Sequence, residues 1–149
     1  MRLLPLVATA ALAIAACNVP RPDPKVEVEA AWVQLPVLPG RPGSAYFTLV
    51  SNNEPTKLVS VTSPRIERIE LHETVMDGGV SRMRRPEHLV FPEDLQMVFA
   101  PGGKHAMLFG IDPAVKAGDK IPFTFNLEPM GPVTVEAQVR AFGEDHAAH

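Results

Sequence analysis

The chain has 149 residues, 46% of them hydrophobic, and a formal net charge of -3 at pH 7. This length and composition favour one globular domain with a proper hydrophobic core. The charge is weak and no basic stripe is present beyond the short group Arg82, Arg84 and Arg85, so no nucleic acid partner is expected.

The first predicted element is a secretory leader over residues 1–16. Arg2 is followed by an apolar stretch from Leu3 to Ala16, shorter than the about 20 residues that a membrane-spanning helix needs. The stretch ends in Ile-Ala-Ala-Cys, which resembles a bacterial lipobox, so we expect cleavage before Cys17 and lipidation of that cysteine. The alternative is an ordinary signal peptide, whose removal would leave a soluble periplasmic protein.

Cys17 is the only cysteine of the chain, so the folded domain offers no thiolate to a metal or a substrate. Residues 17–25 are rich in proline and lack a hydrophobic pattern, which predicts a semi-rigid tether to the membrane. The domain itself is predicted over residues 26–142. A polar tail without a core pattern, residues 143–149, is predicted to be flexible.

Short alternating segments follow one another through the predicted domain, and sixteen prolines and ten glycines leave little room for long helices. Only the segment from Asp112 to Gly118 has helix punctuation, with Asp112 as N-cap and Pro113 at the first helical position. The pattern predicts an all-β Greek-key sandwich or barrel. Its strands are predicted at residues 26–33, 44–51, 57–63, 68–73, 80–84, 94–100, 104–109, 120–127 and 133–141.

Residues 69–85 predict a β-hairpin that brings a histidine close to a methionine. If Asp77-Gly78 forms the two-residue loop, His72 lies directly opposite Met83. If the turn falls one residue later, the two side chains become diagonal neighbours on the same face, still within about 7–8 Å. Either register places them together.

The predicted strand 104–109 carries a second such pair. Residues two apart on a strand project from the same face, so His105 and Met107 are neighbours. Ala106 and Leu108 then form the other, apolar face. The hairpin and this strand therefore each present one imidazole and one thioether.

Two imidazoles and two thioethers form a soft, neutral donor set, which favours Cu(I) over hard ions such as Mg²⁺ and Ca²⁺. Structural zinc sites and blue-copper sites normally use cysteine ligands, which this domain lacks. Binding should weaken in acid, as the imidazoles take up protons. Each residue also has an ordinary interpretation when taken singly: His72 paired with Glu70 or Glu73, and the two methionines packed in the core.

The remaining histidines and methionines are not assigned as ligands. The three other methionines of the predicted domain are expected in the core or behind the site, and the one in the hairpin, Met76, is the best spare ligand. Histidines of the tail could hold metal weakly. These residues are His88, His146, His149, Met76, Met97 and Met130.

The spacing of the four candidates, His72-x10-Met83-x21-His105-x-Met107, resembles the H-x10-M-x21-H-x-M signature of the periplasmic PCu(A)C copper chaperones. The segments "AAWVQLP", "AYFTLVSNNE", "KLVSVTSP", "IELHETVMDGGVSRMR", "APGGKHAML" and "AGDKIPFTFNLE" also follow the order of that family. The resemblance covers roughly residues 29–140. Thr74 stands where many relatives have a second histidine, and the tail is short, so a second, Cu(II)-binding site is in doubt.

The resemblance implies a cupredoxin-like β-barrel that binds one Cu(I) per domain at an exposed site through His72, Met83, His105 and Met107. It further implies delivery of copper to the Cu(A) centre of cytochrome c oxidase, on subunit II, directly or alongside Sco-type proteins. With a lipid on Cys17, the protein would be a periplasmic, membrane-anchored monomer.

Two other function classes were weighed against a copper carrier. A non-metal envelope lipoprotein, acting as an interaction or scaffold module, would not be stabilised by copper, whereas a specific site in the native state must raise the melting temperature by mass action. An enzyme is not expected, because the sequence contains no nucleophile elbow, Ser/His/Asp pattern or HExxH motif.

Overall fold

The computed structural model describes residues 25–52, 54–86, 89–92 and 95–144. The predicted leader, Cys17 and nearly all of the tether lie outside the described residues, as do His88 and the tail histidines His146 and His149.

Ten β-strands and no α-helix are found in these ranges. The prediction of an all-β fold is therefore confirmed. The strands are β1 (Lys25–Gln34), β2 (Gly43–Asn52), β3 (Thr56–Thr62), β4 (Ile66–Asp77), β5 (Val80–Arg84), β6 (Val90–Phe91), β7 (Gln96–Phe99), β8 (Lys104–Ile111), β9 (Lys120–Glu128) and β10 (Gly131–Arg140).

All nine predicted strands are present, with differences at their ends. β4 begins before its predicted start and runs on through the hairpin arm to Asp77. The two-residue strand β6 was missed, because two residues are too few to show an alternating pattern.

The helical turn predicted between Asp112 and Gly118 is wrong. The Asp112 carboxylate does accept a hydrogen bond from the backbone N–H of Ala114, at 2.8 Å, as a capping residue would. The Val115 N–H closes a single turn to the Asp112 carbonyl at 2.9 Å, but the N–H of Lys116 donates to the carboxylate of Asp119 at 2.9 Å and that of Gly118 to the carbonyl of Val139 at 2.9 Å. These bonds use the donors that a helix would need, so two successive turns form instead.

The strands form one sheet in the order β5-β4-β8-β7-β2-β1-β10-β9-β3-β6, with a further pairing between β8 and β2. Most neighbours are antiparallel, but β1 with β10 and β7 with β8 are parallel. Strands that follow one another in the chain are thus often apart in the sheet, as in Greek-key folds.

Aromatic side chains show that this sheet curls round a single core. β2 and β9 are separated by two strands in the sheet order, yet the rings of Phe47 and Phe125 pack edge to face with centroids 4.7 Å apart. Phe47 also stacks on Phe99 of β7 at 4.3 Å. Each buried phenylalanine contributes roughly 1.5–3 kcal/mol by leaving water. The inner face of β8 packs against this core. Ala106 and Leu108 are fully buried there, in agreement with the prediction that they form the apolar face of the strand.

Among the described residues, no helix has the length and apolar character required to pass through a bilayer.

Candidate metal centre

The centre of the candidate site is a cross-strand pair of histidines. β4 and β8 are antiparallel neighbours, and their register places His72 directly opposite His105. The two rings lie edge to face, with centroids 6.0 Å apart and planes inclined at 69°. Because Ala106 and Leu108 face the core, both imidazoles project from the outer face of the sheet.

Met107 lies on the same outer face, two residues along β8 from His105. The register pairs Met107 with Glu70, which is itself two residues before His72 on β4. Three of the candidate positions therefore adjoin one another on two strands.

Met83 reaches this face across the β4–β5 hairpin. The turn is Gly78-Gly79, with φ angles of +57° and +81°, so Thr74 pairs with Met83 and His72 is its diagonal neighbour. This is the second of the two registers that the sequence allows. All four predicted ligand positions thus share one face of three adjacent strands.

The site runs from a buried end to an exposed end. His105 is only 8% exposed, His72 and Met107 are half-buried, and Met83 is 61% exposed. The expectation of an exposed site therefore holds for the hairpin methionine and not for His105, whose side chain is nearly buried although it lies on the outer face of the sheet.

Each imidazole has one nitrogen with a hydrogen-bond partner among the described residues. His72 Nε2 lies 3.1 Å from Glu70 Oε2, and its Nδ1 is buried with no hydrogen-bond partner in the described part of the chain. His105 Nδ1 lies 3.0 Å from the carbonyl oxygen of Gly103, and the described residues provide no hydrogen bond to its Nε2. One lone pair on each ring is therefore left for a further ligand.

Glu70 joins the histidine to two arginines. Its Oε1 lies 3.2 Å from Arg68 Nη1 and 3.1 Å from Arg85 Nη2, while its Oε2 contacts His72. Desolvation by burial raises the pKa of Glu70, but hydrogen bonds from Arg85 and His72 and the charges of Arg85 and Arg68 outweigh it. The pKa of Glu70 is therefore below its usual value.

The other methionines have distinct surroundings. Met76 lies on the same face as Met83 near the hairpin tip and is 70% exposed, so it is not a core residue. Met97 is buried in the core, and the Met130 sulfur lies 3.6 Å from the Thr56 hydroxyl. Within the described ranges, no three His, Cys, Asp or Glu side chains are grouped so that they could hold a metal ion.

The sequence prediction missed the role of Glu70 and its two arginines. The sequence indicates Glu70 only as a possible partner of His72, although the two-residue period along β4 places it on the same face as the candidate ligands. Arg85 lies just past the end of β5, where strand periodicity no longer indicates direction.

Residues 26–139 match the protein family described as "Putative lipoprotein LpqE-like". A protein of Leifsonia xyli subsp. xyli, named "Putative lipoprotein Lxx21020", is 31% identical over 120 residues, which are 78% of this chain and 70% of that protein. An uncharacterized protein of Rickettsia prowazekii, RP573, is 34% identical over 82 residues, and this chain spans 45% of its length.

Two solved structures have a similar fold. The PCuAC domain of PmoF2, without copper, superposes with a TM-score of 0.66 at 26% identity and covers 83% of this chain and 95% of that domain. The solution structure of DR1885 from Deinococcus radiodurans with Cu(I) gives a TM-score of 0.57 at 26% identity and covers 85% of this chain and 83% of that one.

Proposed function

Since this chain belongs to the LpqE-like lipoprotein family and has the cupredoxin-like fold of PCuAC domains, we propose that it is an extracytoplasmic Cu(I)-binding metallochaperone. It carries one Cu(I) per domain as cargo and performs no catalytic turnover of its own. Its ligands are His72, Met83, His105 and Met107.

The observation that supports this proposal is the common face of the four side chains. Two antiparallel registers, between β4 and β8 and between β4 and β5, bring together residues that span 36 positions of the sequence. His72 Nδ1 and His105 Nε2, which have no hydrogen-bond partner within the described ranges, add two lone pairs.

The chemistry of the donor set fits Cu(I). Neutral imidazole and thioether ligands suit a soft monovalent ion, and thioether sulfur has little affinity for Mg²⁺ or Ca²⁺. None of the four ligands brings a charge to the ion. The related DR1885 structure, in which Cu(I) is present, supports the assignment of the metal and its oxidation state.

We expect copper to leave by ligand exchange. Met83, the exposed member of the set, is the ligand that an acceptor protein can replace first, while His105 holds the ion from the buried side. A methionine needs no proton to leave and exposes no charge when it does. Stepwise replacement keeps the ion coordinated throughout transfer.

The proposed acceptor is the Cu(A) centre of cytochrome c oxidase subunit II, or a related copper protein, reached directly or through a Sco-type protein. The description of the family and of the Leifsonia relative as lipoproteins supports a lipid anchor on Cys17. The protein is proposed to act as a periplasmic monomer held at a membrane, which would confine its search for a membrane-bound oxidase.

The direct test is Cu(I) titration of the full-length chain against a competing Cu(I) chelator. The variants Met107→Leu and His105→Ala are expected to lose the single copper that the wild type binds. Leucine has nearly the volume of methionine, so Met107→Leu should keep the fold. Met130→Leu serves as the matched control, because it removes a thioether between β9 and β10, which do not pair with β4, β5 or β8.

Unchanged copper stoichiometry in Met107→Leu and His105→Ala would refute the ligand assignment. A wild-type chain that binds no Cu(I) and is not stabilised by it would instead favour the non-metal envelope scaffold.

A further inference from the structure

We infer that Glu70 is a positioning residue that makes His72 bind Cu(I) through Nδ1, whereas His105 binds through the other type of ring nitrogen, Nε2. This inference rests on the proposed function, because it describes how the same site is built. Glu70 does not touch the ion; it acts through the imidazole of His72.

The first step is the protonation of His72 Nε2. Arg68 and Arg85 both lie against Glu70 Oε1, at 3.2 and 3.1 Å, which keeps the group an ionised carboxylate. An ionised carboxylate can only accept hydrogen bonds. Oε2, at 3.1 Å from His72 Nε2, therefore requires the proton of the neutral ring to be on Nε2.

The second step concerns the other nitrogen of the same ring. With its proton on Nε2, neutral His72 carries a lone pair on Nδ1. That atom is buried and has no hydrogen-bond partner among the described residues. A buried acceptor without a partner is unfavourable, and a metal ion would satisfy it. Metal-binding histidines commonly donate their second ring N–H to a carboxylate in this way.

His105 has the reverse arrangement. Its Nδ1 lies 3.0 Å from the backbone carbonyl of Gly103, which is also an acceptor only, so the ring proton is on Nδ1. The lone pair is then on Nε2. The two neighbouring rings, 6.0 Å apart and edge to face, thus carry their lone pairs on different ring nitrogens.

Glu73 supplies a matched control on the same strand. Its side chain is as exposed as that of Glu70, at 16%, and it also pairs with a cation, Arg84, at 2.8 Å. It projects from the opposite face of β4 and pairs with Lys104 in the register. The substitution Glu73→Ala therefore removes a comparable ion pair but no contact with His72.

The most informative variant is Glu70→Gln, which keeps the shape of the side chain and replaces one of its two acceptor oxygens with a donor NH₂ group. Two guanidinium donors hold the position of Oε1, so the glutamine oxygen should stay there and its NH₂ group should replace Oε2. An NH₂ group can only donate. His72 Nε2 must then accept, and the ring proton moves to Nδ1. Glu70→Ala, without either group, should leave a mixture of the two forms.

The first arm of the experiment needs no copper. Long-range ¹H–¹⁵N NMR of the full-length, copper-free chain reports which nitrogen of each histidine carries the proton. We expect Nε2–H on His72 and Nδ1–H on His105 in the wild type and in Glu73→Ala. We expect Nδ1–H on His72 in Glu70→Gln and a mixture in Glu70→Ala.

The second arm repeats the ¹⁵N spectra with Cu(I), which is diamagnetic, and measures affinity by chelator competition. The ligating nitrogens should be His72 Nδ1 and His105 Nε2. Glu70→Gln and Glu70→Ala should each weaken Cu(I) binding by about 10- to 100-fold, and Glu73→Ala should bind as the wild type does.

Three results would overturn the inference: ligation of His72 through Nε2, the Nε2–H form retained in Glu70→Gln, or unchanged Cu(I) affinity in both Glu70 variants. Failure of the proposed function gives a different pattern, in which the wild type has the expected protonation without copper and binds no Cu(I).

Discussion

Glu70 contacts both charged and polar side chains next to the candidate site. One carboxylate oxygen contacts two arginines and the other contacts an imidazole, so each of its acceptor atoms is used. Three charged or polar residues are thereby fixed on the face that carries the proposed ligands. A single carboxylate can thus order a site whose four ligands are themselves neutral.

This arrangement predicts a pH-dependent contribution of Glu70 to stability. Its pKa is lower in the folded chain than the ordinary value of 4.5, so folding favours the ionised form. The contribution is therefore fully present above that ordinary value and is lost as the pH falls through the lower folded pKa. Urea unfolding of the copper-free wild type and Glu70→Gln from pH 7 to pH 3 should show a stability difference that shrinks in acid. A difference that stays constant across this range would contradict the prediction.

At the scale of the element, the β4–β5 hairpin decides where Met83 lies. Both turn glycines have positive φ angles, as type I′ turns require, and asparagine tolerates this conformation whereas valine does not. We expect Gly78→Val to lower the stability of the turn by about 1–2 kcal/mol and to weaken Cu(I) binding. Gly78→Asn should leave both nearly unchanged, as measured by thermal unfolding and chelator competition. Equal Cu(I) affinity in the two variants would show that the hairpin does not position Met83.

The elements differ in how much of them the sequence could predict. The shared face of His105 and Met107 follows from the two-residue period of a strand, and Ala106 and Leu108 indicate which face is buried. The hairpin register could not be decided, because Asp77-Gly78 and Gly78-Gly79 are both good two-residue turns.

Other elements needed information that no local pattern carries. The predicted helical turn after Asp112 had the right capping residues, but its backbone donors are taken by Asp119 and by the neighbouring strand β10. The hydrogen bond from His72 to Glu70 depends on side-chain rotamers and on Arg85, which lies beyond β5. The common face of the four candidate ligands was thus predictable, and the hydrogen bonds of their ring nitrogens were not.

For the whole molecule, the two faces of the curled sheet differ in the side chains that they carry. Its inner face is packed with aromatic and aliphatic side chains, and its outer face on β4, β5 and β8 carries the candidate ligands. Substitutions on the outer face should therefore change metal binding with little effect on the core.

Copper binding should raise the stability of the entire domain, because the site is assembled from strands that are separate in the unfolded chain. With free Cu(I) buffered at about 100 times the dissociation constant, the native state gains about 2.7 kcal/mol. For a chain of this size the melting temperature should rise by roughly 5–10 °C. Differential scanning calorimetry checks this, with Met107→Leu as the variant that should show no rise. An equal rise in that variant would indicate binding elsewhere in the chain.

β5 is the first strand in the sheet order, so it has one neighbour, whereas β8 pairs with β4, β7 and β2. Displacing β5 breaks only the hydrogen bonds of its own hairpin, and every residue of β5 is exposed to solvent. Met83 therefore lies on the edge strand of the sheet, and the other three proposed ligands lie on strands that have neighbours on both sides. Under the proposed function, an acceptor protein would reach the copper by displacing this five-residue edge strand, without a movement of the other strands.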